Sequence, residues 1–247
     1  AKQSYDLSNN LNYLKGKAYA LKAIGMSYYY QGDYLSVLDY WTKSLQNFEL
    51  IKDNVGIANM VNNLGAVYYS RGSNAKAIDY YLRSLRASEK LNDSLRIATA
   101  LINIGGVYAD NPRDYDKALG YYNRVKPFLK TIKDPSLQIA YFFANGEIKF
   151  SQGKFEEALM FYEEALPISE GTAKYSTNLI NLGKTRFKLV ERDKAIENLN
   201  KAYLSAKSDS LRLQVVKSLI ELGNVYQDND VSKSLNAYSE AEKLAKD

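Results

Sequence analysis

Apolar residues along the 247-residue chain recur three and four positions apart, which is the spacing of amphipathic α-helices. The amphipathic segments are of two alternating types, and a Gly, Asn or Asp separates neighbouring segments at nearly every turn. No segment has the strict apolar–polar alternation of a β-strand. The pattern therefore predicts an all-α fold that is built from pairs of helices.

The first type of segment carries a glycine between apolar residues, and it occurs six times. Successive glycines are 40, 40, 41, 37 and 40 residues apart. A second amphipathic segment follows each glycine segment, as in GSNAKAIDYYLRSL from Gly72 and GKFEEALMFYEEAL from Gly153. Such regular recurrence predicts a solenoid of about six helix pairs that runs the length of the chain. The six glycines are Gly25, Gly65, Gly105, Gly146, Gly183 and Gly223.

These segments resemble the tetratricopeptide-repeat family over essentially the whole chain. In the second repeat, for example, the matching residues are Gly65, Tyr68, Gly72, Ala77 and Tyr81. The resemblance implies a right-handed α-solenoid of antiparallel helix pairs in which these Gly, Ala and aromatic positions form the core. We expect a single solenoid over residues 1–247, with residues 1–12 as the end of a preceding repeat. The expected repeats are approximately 17–52, 54–92, 94–133, 136–170, 173–207 and 210–246.

The repeats are near 40 residues long, whereas the common tetratricopeptide repeat has about 34. Repeats of this length resemble those of spindle-orientation and kinesin-light-chain adaptors. They also resemble the repeat arrays in front of bacterial class III nucleotide cyclases and sensor histidine kinases. The extra residues lie between helix pairs and contain a recurring aspartate, which is predicted to cap the N-terminus of the helix that follows. The aspartates are Asp53, Asp93, Asp134 and Asp209.

Other departures from the repeat are local. In the fifth repeat, Val190 stands where other repeats have the turn glycine, and Arg186 replaces the tyrosine. Pro127 and Pro167 lie late in two second helices, which are predicted to kink or end there. The chain begins inside a repeat and stops without a polar capping helix. Because solenoids need capped ends, we expect a portion of a longer array, whose uncapped ends can self-associate in solution as an artefact.

Composition argues against catalysis. Cysteine and histidine are absent, which removes thiolate nucleophiles, imidazole bases and most transition-metal sites. No GxxxxGK[ST], HExxH or GxSxG motif occurs. The paired acids Glu156/Glu157 and Glu163/Glu164 have the spacing of a solvent-facing helix surface. We therefore expect no enzyme activity in this chain, no cofactor and no metal site.

The net charge of +5 is dispersed along the chain. Residues 1–120 hold 14 Lys/Arg and 11 Asp/Glu, and the remainder holds 19 and 17. A dispersed excess does not favour nucleic acid as a partner. No apolar stretch reaches the roughly 18 residues that cross a bilayer, so no membrane contact is expected within the chain. The expected partner is a protein or a peptide.

A ladder of asparagines is predicted on the concave face, which the first helix of each pair should line. Asn63, Asn103 and Asn181 each precede a core residue of a first helix, and asparagine is a mediocre helix former. Side-chain amides can satisfy the backbone of an extended peptide, and the resemblance to long-repeat adaptors implies that role for these three. The alternative is that the asparagines bond one another between neighbouring repeats. Asn62 and Asn224 are predicted to belong to the same face.

Aromatic and basic residues flank this ladder on the same predicted face. The aromatic rings could anchor apolar side chains of a ligand, and the lysines could bind acidic ones. The alternative for the aromatic residues is simple packing between adjacent first helices. The predicted flanking residues are Lys22, Tyr29, Tyr69, Phe143, Lys184 and Phe187.

Together these features predict a module that binds an extended peptide or partner segment in its groove. The resemblance implies the regulatory or sensory part of a larger signalling protein, such as a nucleotide cyclase or a histidine kinase. The alternatives are a free-standing adaptor, scaffold or peptide receptor and, less favoured, an RNA-binding helical repeat. The expected protein is soluble and bacterial, and its compartment stays open between cytoplasm and the extracytoplasmic part of a membrane-anchored sensor.

Overall fold

A computed structural model describes residues 1–246, which fold into α-helices and two short 3-10 helices. Helix α1 (Lys2–Asn10) precedes six helix pairs, so the predicted all-α fold of about six antiparallel pairs is confirmed. The pairs are α2 (Leu14–Tyr30) with α3 (Tyr34–Leu50), α4 (Asn54–Ser70) with α5 (Asn74–Lys90), α6 (Ser94–Ala109) with α7 (Tyr115–Val125), α8 (Pro135–Ser151) with α9 (Phe155–Ser169), α10 (Tyr175–Lys188) with α11 (Arg192–Ser208), and α12 (Arg212–Tyr226) with α13 (Val231–Lys246).

The chain divides into two compact units, and each contains three of the pairs. Unit 1 covers residues 1–133 and holds α1 to α7; unit 2 begins at Asp134 and holds α8 to α13. First helices of neighbouring pairs also contact each other, α4 with α6 in unit 1 and α10 with α12 in unit 2. We call the surface formed by α2, α4 and α6 the inner face of unit 1, and that formed by α8, α10 and α12 the inner face of unit 2.

The repeated glycines lie where the two helices of a pair cross. A Cβ atom on Gly65 would lie 2.7 Å from the ring of Tyr81, and one on Gly223 would lie 2.6 Å from the ring of Tyr238. Only glycine permits so close an approach, and the aromatic ring of the second helix fills the space beside it. In the fifth pair, Leu199 takes the place of the ring against Gly183. The predicted core role of these positions is confirmed.

Most turns within a pair share one geometry. Gly32, Gly72 and Gly153 have φ values of 76°, 71° and 75°, and the amide of the next residue donates back to the last turn of the preceding helix. In the fifth pair Val190 adopts the same left-handed conformation, with φ 64° and 87% of its surface exposed. A β-branched residue is strained there, and that strain distinguishes this turn from the glycine turns.

Three of the four predicted aspartate caps are confirmed. Asp53, Asp93 and Asp134 each accept a hydrogen bond from the backbone amide three residues later, at 2.9, 3.0 and 3.0 Å. The prediction for Asp209 is wrong, because Asp209 ends α11 and Leu211 occupies the cap position of α12. Ser210 takes the left-handed position of that turn, with φ 56°, so the aspartate lies two residues too early to cap.

Pro127 lies beyond the end of a second helix, whereas Pro167 lies inside the last turn of another. Helix α7 stops at Val125, and Pro127 lies in the 3-10 helix Lys126–Phe128 that follows. Helix α9 continues two residues past Pro167 and ends at Ser169. No helix among residues 1–246 is both long enough and apolar enough to cross a membrane.

Candidate binding faces

The inner face of unit 1 is formed by helices without acidic residues. Helices α2, α4 and α6 contain no Asp or Glu, and their only charged residues are cations. Lys22 has no ion-pair partner in the described part of the chain, and its backbone carbonyl accepts a 3.0 Å hydrogen bond from Trp41 Nε1. Lys15 and Arg96 are paired with Asp53 and Asp93, so Lys17 and Lys22 are the cations of these helices without an ion pair among the described residues. The cations are Lys15, Lys17, Lys22 and Arg96.

Two asparagines of the predicted ladder are hydrogen-bonded across neighbouring repeats. Asn103 Nδ2 on α6 donates to Asn62 Oδ1 on α4 at 2.9 Å, and both residues are half-buried. Arg96 Nε, close by, donates to Asn59 Oδ1 at 3.0 Å. The inter-repeat bond between asparagines, which was the alternative interpretation, therefore exists at this pair. It uses one polar atom of each side chain and leaves Asn62 Nδ2 and Asn103 Oδ1 for a further partner.

An open cavity of about 220 Å³ lies beside these asparagines. Asn62 and Asn63 line it from α4, and Arg96 and Thr99 line it from α6. Arg96 also pairs with Asp93, so its guanidinium is held at the rim of the cavity. Asn59 also lines it, so the cavity presents three carboxamides and a fixed cation within one repeat interface.

The two predicted aromatic residues of unit 1 are in different surroundings. Tyr29 is 39% exposed and stacks on Trp41, with ring centroids 5.9 Å apart. Tyr69 is half-buried, and its hydroxyl donates to Asp110 Oδ1 of the next repeat at 2.8 Å. Tyr29 therefore offers ring surface to a ligand, whereas Tyr69 contributes to the joint between repeats.

In unit 2, Asn181 and Lys184 of α10 line a larger cavity of about 390 Å³. Lys184 Nζ lies 3.7 Å from Glu221 Oε1 and 5.4 Å from the centroid of the Phe150 ring. Asn181 Nδ2 is buried and has no hydrogen-bond partner among residues 1–246. We call this the Glu147 cavity, after the acid in its wall. Its lining residues are Glu147, Phe150, Ser151, Tyr162, Asn181 and Lys184.

The repeat pattern did not predict Glu147 as a site residue. Its side chain is exposed and forms no hydrogen bond or ion pair within residues 1–246, and desolvation by the surrounding residues raises its pKa above the ordinary value. The positive charges of Lys184, Lys174 and Lys217 oppose that shift and are outweighed by it. Glu147 directly follows the repeat glycine Gly146, a position that Lys184 occupies two helices later. The residue after each repeat glycine was the signal that could have found it.

The remaining predicted residues make contacts inside the helix pairs. Phe143 packs edge-on against Tyr162 with centroids 6.2 Å apart, and Phe187 packs on a core cluster that includes Leu199. Asn224 Oδ1 accepts a 2.6 Å hydrogen bond from Tyr238, and its Nδ2 donates to Glu221 at 3.0 Å. The structure therefore brings Asn62, Asn63 and Asn103 together in unit 1, and Asn181 and Lys184 together in unit 2.

Comparison with known proteins agrees with the helix pairs. A family model described as tetratricopeptide repeat matches residues 16–90 and 56–130. No curated protein is similar enough in sequence to be matched. The chain is thus a helical-repeat protein of the class whose repeats bind protein or peptide partners. Residues 16–130 match the tetratricopeptide-repeat family model, and the helix pairs of the described chain have the same architecture.

Several solved structures share the fold. BtubC (BKLC) from P. vanneervenii has a TM-score of 0.73 and 18% identity, over 85% of this chain and 89% of that one. A Rap protein complexed with Competence and Sporulation Factor has a TM-score of 0.73 and 18% identity, over 94% of this chain and 65% of that one. A STAND signal-transduction ATPase with a tetratricopeptide-repeat sensor, from Pyrococcus horikoshii, has a TM-score of 0.74 and 18% identity, over 93% of this chain and 36% of that one. At these identities the similarity establishes the fold alone.

Proposed function

We propose that the inner face of each unit binds an extended peptide segment of a partner protein. Asn62, Asn63 and Asn103 bind the peptide backbone in unit 1, and Asn181 does so in unit 2. The observation that carries the proposal is the set of half-buried carboxamides whose polar atoms are not all used within the protein. Buried or half-buried polar groups without partners cost stability, and a ligand that pairs with them recovers that cost.

An extended peptide suits these groups chemically. Its backbone presents an N–H and a C=O at intervals of about 3.3 Å, and each must be paired when it leaves water. A carboxamide both donates and accepts, so one side chain can bind either backbone group. The bond from Asn103 to Asn62 also holds two of these side chains in place before the ligand arrives. Less side-chain freedom is then lost on binding.

The flanking residues give the proposed site its selectivity. Lys22, on the acid-free face of unit 1, pairs with an acidic group of the ligand, and Tyr29 contacts an apolar side chain. Lys184 contacts the ligand from the Glu147 cavity. Tyr69, Phe143, Phe187 and Asn224 support the two faces from within, since their contacts are to neighbouring helices.

The first candidate role for this binding is that the chain is the sensory segment of a larger signalling protein. The similarity to a STAND protein with a tetratricopeptide-repeat sensor supports it, because this chain spans about a third of that protein. A free-standing peptide receptor is the second candidate, supported by the similarity to a Rap protein complexed with Competence and Sporulation Factor. An output domain in the same gene as this chain favours the sensor. A gene that encodes only helical repeats favours the receptor.

The binding proposal is tested with a random-peptide display library on the immobilised chain and on a variant with Asn63→Ala, Asn103→Ala and Asn181→Ala. We expect the native chain to enrich peptides, and the variant to bind a selected peptide at least about a hundredfold more weakly, since several paired carboxamides are lost. Thermal melting of both proteins is the control for folding. Equal affinity in a folded variant contradicts the role of these asparagines, and a large drop in melting temperature favours their packing role.

A further inference from the structure

We propose that the cavity beside the bonded asparagines of unit 1 binds a carboxamide side chain, glutamine or asparagine, of the bound peptide. The inference rests on the proposed function, because the side chain arrives as part of a peptide. It adds the chemistry of one ligand position, with Asn59 and Thr99 as specificity-determining residues. We call this the Asn59 cavity, and its lining includes Asn59, Asn62, Ser84, Leu95, Arg96 and Thr99.

The first argument is that two asparagines of the cavity have occupied oxygens and free amide nitrogens. Asn59 Oδ1 accepts a 3.0 Å hydrogen bond from Arg96 Nε, and because a guanidinium N–H can only donate, this bond fixes the orientation of the Asn59 amide. Asn62 Oδ1 likewise accepts from Asn103 Nδ2 at 2.9 Å. Neither Asn59 Nδ2 nor Asn62 Nδ2 has a hydrogen-bond partner among residues 1–246. The cavity therefore offers N–H donors to an oxygen of the ligand.

The second argument is that a hydroxyl of the cavity offers an acceptor. Thr99 Oγ1 donates its hydrogen to the Leu95 carbonyl at 2.8 Å, and Ser84 Oγ donates to the Ala58 carbonyl at 3.1 Å. With the hydrogen used, each oxygen presents only lone pairs to its other neighbours. Ser84 is buried and Thr99 is half-buried, so Thr99 is the acceptor that a ligand reaches. A carboxamide has one oxygen that accepts and one NH2 group that donates, so it can pair with both kinds of group.

The third argument is that the cavity contains no unpaired charge among its described lining residues. Its cation, the Arg96 guanidinium, is paired with the Asp93 carboxylate, which also accepts from the Arg96 backbone amide at 3.0 Å. An acidic ligand side chain would bring a second carboxylate close to Asp93 and would face the lone pairs of Thr99. A basic side chain would find no free carboxylate, and an apolar one would desolvate the two amide nitrogens without pairing them. A neutral carboxamide has none of these disadvantages.

The size and the walls of the cavity suit one such side chain. Its volume of about 220 Å³ is smaller than the usual pocket for a whole small molecule. Leu95 is 40% exposed and gives the cavity an apolar side on which the methylene groups of a glutamine can pack. The NH2 group of Asn62 has two hydrogens, so one can bind this side chain while the other binds the peptide backbone.

The test is a display selection on the native chain, on Asn59→Ala, on Thr99→Val and on the control Asn54→Ala, which replaces an exposed asparagine of the same helix α4. We expect the native chain and the control to enrich peptides with glutamine or asparagine at one fixed position. Asn59→Ala should still enrich peptides, without that preference. Thermal melting of each variant is the control for folding, and Thr99→Val, which keeps the shape of the side chain, carries the comparison if Asn59→Ala does not fold.

Affinities for one selected peptide give the size of the effect. Replacing its glutamine or asparagine by glutamate or by methionine should weaken binding to the native chain roughly tenfold, because the paired donors and acceptor are lost. The same replacements should weaken binding to Asn59→Ala or Thr99→Val by less than about threefold, since part of the pairing is already absent.

Three results would overturn the inference while the peptide-binding function stands. The first is enrichment by the native chain with no carboxamide position, and the second is an acidic residue at that position. The third is a carboxamide preference that survives unchanged in folded Asn59→Ala and Thr99→Val. If the native chain enriches no peptide, the proposed function fails, and the cavity is then tested by itself.

For that case the probe is N-acetyl-glutamine N-methylamide, titrated into the native chain with isotope-labelled asparagine. The NMR signals of the Asn59 side-chain amide are identified by their absence from Asn59→Ala, and binding of the probe should shift them. The matched control is N-acetyl-methionine N-methylamide, which has a side chain of similar length and no carboxamide. Signals of Asn59 that respond equally to both compounds, or to neither, overturn the inference.

Discussion

The two units contain the same three-pair architecture, and they differ in how their polar side chains are paired. Every buried side-chain nitrogen or oxygen that lacks a partner within the described chain lies in unit 2. In unit 1, Ser44 and Ser84 donate to carbonyls of the neighbouring helix, at Ala18 and Ala58, and Asn47 and Ser88 donate to carbonyls of their own helix. The tetratricopeptide family model likewise matches residues of unit 1 only. The unpaired atoms are found where the repeat sequence is least regular.

The difference suggests how a repeat array gains binding chemistry. Where residues follow the repeat, each side chain meets the same neighbour in every copy, and the polar groups pair with one another. Where a residue departs from the repeat, as Glu147 and Val190 do, the usual partner or backbone preference is absent. Unit 2 therefore carries the unpaired buried polar atoms and the one β-branched residue with positive φ in the described chain, and unit 1 supplies the bonded pair of carboxamides.

We expect the largest change in the free energy of unfolding from substitutions that exchange the turn residues of the two units. Val190→Gly should stabilise the protein by about 1 kcal/mol, because glycine removes the strain of a β-branched residue at φ 64°. Gly72→Val should destabilise it by about 2 kcal/mol, although a side chain at Gly72 would meet no atom within 4 Å. Chemical denaturation measures both. Equal stability of Gly72→Val and the native chain would show that backbone strain does not separate these turns.

We expect an intermediate change in the free energy of unfolding when single asparagines are replaced by alanine. Asn103→Ala should cost about 1 kcal/mol, because it removes the hydrogen bond to Asn62 and leaves that side chain half-buried without it. Asn181→Ala should leave stability unchanged or slightly raised, because it removes a buried donor that has no acceptor and introduces a better helix former. Denaturant melts of the two single variants make the comparison. A larger cost at Asn181 than at Asn103 would contradict the difference between the units.

The smallest effect is expected from Glu147→Gln, and it should depend on pH. Burial raises the pKa of Glu147 in the folded state, so the folded protein holds this proton more tightly than the unfolded chain does. The stability contributed by Glu147 is present at low pH and is lost as pH rises through the raised pKa. Glu147→Gln should therefore match the native chain at low pH and melt at a slightly higher temperature at neutral pH. A difference that is constant with pH would indicate a packing effect.

Sequence patterns predicted the fold closely because its determinants lie within one repeat. The contact of Gly65 with Tyr81 joins two residues of the same 40-residue period, so it recurs visibly. The cap at Asp53 was predicted for the same reason, and the cap at Asp209 failed because a shift of two residues inside a turn leaves no periodic signal. The spacing of the repeated residues predicted where the helices lie, but it did not predict the position of every turn residue.

The candidate site was less predictable because it depends on contacts between repeats and between helices. Whether Asn103 bonds to Asn62 depends on the rotation of α6 against α4, which the sequence does not specify. Asn224 is an asparagine like the residues of the predicted ladder. Its side chain bonds to Tyr238 on the other helix of its own pair. Glu147 was missed because the residue after the repeat glycine differs from one repeat to the next, as Lys184 and Asn224 at the same position show.

Each repeat glycine packs against a side chain of its own helix pair, and this affects how the gene can gain or lose repeats. Gly65 meets Tyr81 of the same pair, and Gly223 meets Tyr238 of the same pair, so neither contact needs a particular neighbour. A recombination event that inserts or deletes one period of about 40 codons would leave every such crossing intact and alter only the joints between pairs. Lineages of this protein can therefore change in length by whole periods, and each change places a different set of inner-face residues side by side.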